Sequence, residues 1–125
     1  MADNPERHGE MAAAISHALN HLTQALTFLP LPIQLPHLAV GSTIEEFMDG
    51  MERTRTLIES EPADHAALGE LDLAVLHIMM AFDVMSLARL DQMRDWRYDA
   101  VIFACDMAII HISLAHLVLT GEEEA

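Results

Sequence analysis

The residues able to do acid–base chemistry in this chain are dispersed rather than gathered into a motif. Eight histidines and twenty carboxylates are spread over 125 residues. Two of them stand out because each interrupts a long apolar run: Asp83 in Ala66–Leu90 and His111 in Ala100–Leu119. A carboxylate buried in hydrocarbon must be paired, or it takes up a proton near neutrality. An imidazole changes charge close to physiological pH. A buried pair of this kind supplies an acid and a base, so Asp83 and His111 are the candidate catalytic residues. The competing structural reading has Asp83 paired with Arg53 or Arg55, and His111 hydrogen-bonded to a carbonyl inside the core.

Other polar side chains share these two runs. Asp72 and His77 precede Asp83, and Asp106 and His116 flank His111; these four are the candidate ligand-binding residues. At 100° per residue Asp72 and Asp83 fall about 20° apart, whereas His77 points to the side of Glu70. Asp99, Asp106, Ser113 and His116 repeat at about seven residues, the pattern of a strip facing solvent. His17 and His21 are four apart, a spacing that lets two imidazoles reach one metal ion. They lie opposite an apolar stripe, among Asn20 and Gln24, and no third ligand is nominated, so no metal is assigned. Asp91, Asp95 and Asp99 are also spaced by four, but Arg94 and Arg97 interleave them as in a salt-bridged helix junction. There is no GxGxxG, P-loop, GxSxG, HExxH, CxxC or Glu-x-x-His, so no cofactor is implied.

These residues need elements to position them, and periodicity supplies four helices, at roughly 6–28, 43–60, 63–90 and 95–119, in one domain spanning 1–125. Met11, Ile15, Ala18, Leu19, Leu22 and Leu26 form one stripe of the first. Ile44, Phe47, Met48, Met51 and Ile58 form that of the second. A capping box from Ser42 with Glu45, or Thr43 with Glu46, starts the second helix. Pro62 and Asp64 mark the start of the third, and Asp91 or Asp95 is the expected N-cap of the fourth. The third and fourth are apolar nearly all the way round, which predicts protein on most sides of them. Four helices of this size leave such a surface partly uncovered, so a two-fold homodimer is expected. Between the first two helices, residues 29–42 carry three prolines and apolar residues at every second position. They are expected to run extended, across the bundle end, along it or over a cavity. A flexible tail is expected at 121–125.

Composition agrees with an all-α four-helix bundle. The hydrophobic fraction is 52%, filled by Leu, Ala, Ile and nine Met, with four Phe, one Trp and one Tyr. Six arginines and no lysine against twenty acids give a formal charge of −14. That field repels phosphate backbones and anionic lipid, which argues against nucleic acid and membrane as partners. A single cysteine, Cys105, and no signal-like N-terminus suggest a reducing, cytoplasmic setting. The expected function is a small apolar or amphipathic ligand held between the third and fourth helices, with Asp83 and His111 as its polar contacts. The alternatives are a non-enzymatic interaction module with an acidic surface and a metal-binding bundle through His17 and His21. A cavity with convergent polar groups marks the first, and an exposed apolar groove over a dry interior the second.

Overall fold

The computed structural model describes residues 5–36, 42–87 and 93–121. Among these, the chain forms four α-helices and no strand: α1 (Pro5–Leu26), α2 (Ile44–Glu59), α3 (His65–Ser86) and α4 (Asp95–Thr120). The all-α, four-helix arrangement read from periodicity is therefore the observed one.

Local chemistry explains most of the boundaries. Of the two capping boxes on offer, Thr43 with Glu46 is the one that forms. The Thr43 hydroxyl accepts from the Glu46 N–H at 3.0 Å, and the Glu46 carboxylate accepts from the Thr43 N–H at 2.9 Å. Asp64 caps α3 by accepting from the Ala66 N–H at 2.7 Å. α3 ends at Ser86, short of the expected residue 90. Residues 88–92 lie outside the described part, and with them Asp91. Asp95 is not an N-cap: Arg94 holds that position in extended backbone without a side-chain cap, and Asp95 is the first helical residue. Its charge still favours the helix dipole there. Gly121, at φ 78°, ends α4 in the left-handed conformation that glycine adopts without strain. The rest of the expected tail, 122–125, is outside the described residues.

Cross-helix contacts fix the topology. α3 and α4 form an antiparallel hairpin, in which the Arg97 guanidinium donates to the Val84 carbonyl at 3.4 Å and His111 meets Glu70 further along. α1 runs alongside α4 in the same direction, with Arg7 on Asp99 at one end and the Phe28 ring 5.1 Å from His116 at the other. α2 is antiparallel to α3, with Phe47 against Phe82 at 4.5 Å and Arg55 on Asp72. It follows that α1 and α2 are parallel, so their connector must carry the chain back along the bundle rather than turn at its end. That requirement accounts for the prolines, which hold the backbone extended. Leu29 and Ile33 are buried along the way while Leu31 faces solvent. The carboxylate of Glu61, itself buried, accepts from the Leu31 N–H at 3.0 Å. The connector passes so close to α2 that a Cβ on Gly50 would lie 2.6 Å from the Pro36 Cβ. Residues 37–41 of the connector are outside the described part.

The core lies on one side of the α3–α4 hairpin, where α1 and α2 pack. Leu71, Val75, Ile78 and Phe82 of α3 and Val101, Cys105, Ala108 and Ile112 of α4 are buried there with Leu22, Leu26, Met51 and Ile58. The expectation that protein surrounds α3 and α4 on most sides does not hold within one chain. α4 is long and apolar enough to cross a membrane by length and composition, yet only 33% of its most apolar stretch is buried. Ile44, expected in the stripe of α2, is 40% exposed.

Candidate functional site: the outward face of α3 and α4

Opposite the core, both helices present apolar side chains to solvent. On α3 these are Leu73 and Met80, continued by Leu87 at its C-cap, and on α4 Trp96, Phe103, Ile110 and Leu114. Spacings of seven residues advance a helix by two turns less about 20°, so each set forms one continuous stripe. The stripe lies roughly 160° from the centre of the buried face on both helices. The antiparallel register sets Leu87 about level with Trp96, Met80 with Phe103, and Leu73 with Ile110. Exposure is largest in the middle and at one end: 55% for Met80, 66% for Phe103 and 68% for Leu87. Arg97 lies over the Trp96 ring, 4.5 Å from its centre.

Set into the seam between the stripes is a polar cluster. The His111 Nδ1 is 3.1 Å from the Glu70 Oε2, and both side chains are largely withdrawn from solvent. The His77 ring stacks on that of His111 at 5.2 Å and its Nδ1 lies 2.8 Å from the Leu73 carbonyl. A carbonyl oxygen only accepts, so His77 donates through Nδ1; a carboxylate beside His111 favours the same tautomer. In the neutral form of such a ring, Nε2 is left as the acceptor. An oriented imidazole of this kind can take a proton, but a catalyst also needs a nucleophile or a second acid within about 3 Å of the reacting atom. Next to the cluster, an open groove of about 450 Å³ is lined by His65, Gly69, Glu70, Leu73, Leu114 and Val118.

Of the six candidate residues, the structure brings together His77 and His111. Asp83 departs from expectation: it is exposed, not buried, and lies six residues past His77, about 9 Å along the axis. Ala81 and Phe82 beside it turn into the core, whereas Asp83 projects on the side of Met80 and Leu87, which are themselves exposed. Among the described residues Asp83 does not take an arginine. Arg55 binds Asp72 instead, with two hydrogen bonds of 2.7 and 3.3 Å. The Asp72 side chain, chiefly through these bonds, holds the Arg55 guanidinium above its ordinary range. Asp72 thus serves α2–α3 packing and lines a separate groove of about 270 Å³ with Arg55, Glu59 and His65. Asp106 is exposed. His116 is half-buried on the α1 side of α4, in an open groove of about 370 Å³ shared with His21, Gln24, Phe28 and Ser113. His17 and His21 touch edge to face at 4.5 Å. Among the described residues, no group of three His, Cys, Asp or Glu side chains is placed to hold a metal ion. Cys105 is buried, and desolvation, assisted by Asp106, pushes its thiol up to about 11.

Glu70 is the member of the cluster that sequence reasoning missed as a site residue. It lies 41 positions from His111, and only the hairpin register joins them. Compared with known families, curated proteins and solved structures, the chain finds no match.

Proposed function

We propose that this chain is a non-enzymatic helical interaction module whose working surface is the outward face of α3 and α4. One observation carries the reading: seven large apolar side chains stand in solvent in two aligned stripes, on the face of the hairpin that α1 and α2 do not cover. At roughly 200 Å² for each large apolar residue, their exposures amount to on the order of 700 Å². A typical monomer shows no apolar patch above about 300–600 Å², and larger ones mark contact surfaces. Acidic side chains, Asp83, Asp99 and Asp106, lie at the margin rather than within the stripes, as in the polar rim of an interface. Native mass spectrometry of the purified protein tests this. The expected spectrum shows the chain bound to another polypeptide, its own or a foreign one, and the double variant Met80→Glu/Phe103→Glu releases it. A stoichiometric small molecule on a lone chain, retained in that variant, contradicts it.

A second reading, a small amphipathic ligand between α3 and α4, is supported by the groove of about 450 Å³ beside Leu73 and Leu114. Its volume falls within the ~300–1,000 Å³ of small-molecule sites. Glu70 and His65 would be the polar contacts, with His111 holding Glu70 from behind, and Asp83 has no part. Loss of a bound molecule on Glu70→Ala and His111→Ala, with helicity intact, is the result that favours it.

A further inference from the structure

The occupant of the outward face follows from its chemistry. We infer that a second copy of this chain covers it, related by a two-fold axis lying in the plane of the interface. The inference rests on the interaction-module reading and names the partner. Three observations select a second copy over a foreign chain.

The first is area. The stripes expose on the order of 700 Å², close to the ~800 Å² that each partner contributes to a stable complex. The second is charge. Positions 73, 80, 87, 96, 103, 110 and 114 are uncharged, so nothing in the contact selects a basic partner. The net charge of −14 sits elsewhere, with Asp83 and Asp106 left at the rim. The third is shape. Two antiparallel helices whose stripes repeat every seven residues over 73–87 and 96–110, with Leu114 extending the second, make a surface complementary to itself. Stacking two such hairpins gives a two-layer, four-helix arrangement with antiparallel helix pairs across the interface, whether the axis runs along the helices or across them. On either axis, Met80 and Phe103 lie at mid-height and meet Met80 or Phe103 of the second copy. In that position they are the central anchors, where truncation weakens a complex most. The same stacking closes the seam over Glu70, His111 and His77. Their mutual hydrogen bond and stacking leave fewer polar groups unsatisfied when water is removed.

The test is solution mass by light scattering at tens of micromolar, with circular dichroism on every variant. The wild type is expected at twice 13.9 kDa. Phe103→Glu and Met80→Glu should each bring the mass to that of one chain with helicity unchanged, because both side chains are exposed in the isolated fold. Leu57→Glu, on the exposed side of α2 and 52% exposed, should leave the dimer intact. Each centre-position glutamate should weaken association by at least about 100-fold, the behaviour of a hot spot. A single-chain mass for the wild type overturns the second copy. So does a dimer that Phe103→Glu and Met80→Glu leave intact. A wild-type monomer that binds a synthetic amphipathic helix through Phe103 overturns the second copy and keeps the interaction module. A monomer that instead floats with zwitterionic lipid vesicles in a Phe103-dependent way overturns both.

Discussion

α2 and α4 solve the same problem, how a helix meets water, in opposite ways. α2 buries Phe47, Met51, Thr54 and Ile58 on one side and turns Glu45, Asp49, Glu52, Arg53 and Thr56 outward. Its start is fixed by a reciprocal capping box. Its outer face is mostly polar, with Ile44 and Leu57 as isolated apolar exposures rather than a stripe. α4 buries an equally good inner face yet turns Trp96, Phe103 and Ile110 outward, and no side chain caps its start. A helix that is apolar all round belongs inside something. The contrast teaches that the polarity of a helix's outer face, more than its inner face, tells whether the fold ends with the chain.

The largest effects separate the two faces directly. Leu71→Ala, at a fully buried position, should cost about 2–5 kcal/mol in urea denaturation, since it leaves a cavity where α3 meets the core. Phe103→Ala removes a larger side chain from the outer face. In the isolated chain it should stay within about 0.5 kcal/mol. Its effect should appear only at concentrations where chains associate. Equal losses for the two at high dilution would erase the distinction between inner and outer faces.

Two glycines give a smaller contrast of opposite sign. Gly→Ala inside a helix ordinarily stabilises by about 0.5–1 kcal/mol. Gly69→Ala on α3, with open space around the new methyl, should follow that rule. Gly50→Ala on α2 should reverse it and lose about 1–3 kcal/mol, because the methyl overlaps Pro36 and pushes the connector off the helix. Thermal melts of both variants check this. A stabilised Gly50→Ala would mean that the connector does not press on α2.

Cys105 marks the inner face of α4 by its chemistry. Its thiol pKa is raised to about 11 from an ordinary 9.0, chiefly by burial. At pH 8 the native protein should react with an alkylating reagent at least ~100-fold more slowly than in urea, since the thiolate is the nucleophile. The raised pKa means the folded chain keeps a proton that the unfolded chain loses. Its share of stability is present below pH 9 and declines as the pH rises towards 11. Rapid native labelling would place Cys105 on the outer side.

Much of this organisation is legible in the residues themselves. The stripes of α1 and α2, the Thr43–Glu46 box and the Asp64 cap are local patterns, and local patterns survive in sequence. The all-round apolarity of α3 and α4 announces an uncovered surface, but which residues face outward depends on where α1 and α2 dock. Asp83 shows the cost of ignoring that. Apolar neighbours along the chain suggested burial, whereas Met80 and Leu87 are themselves in solvent. Glu70 with His111 is invisible for another reason, since the pair exists only once the hairpin register is set. The connector's path was legible in kind, from its prolines. Its direction came from the parallel arrangement of α1 and α2, which no local signal records.

Trp96 is the single tryptophan and stands at one end of the outward face, 55% exposed in the isolated fold. Its fluorescence therefore reads the central claim, that the outer face of α3 and α4 is a contact surface. The emission maximum should be blue-shifted and resistant to iodide at tens of micromolar. It should move to the red and become quenchable on dilution, and start there in Phe103→Glu. Emission from a solvent-exposed indole at every concentration, identical in wild type and Phe103→Glu, would contradict the claim.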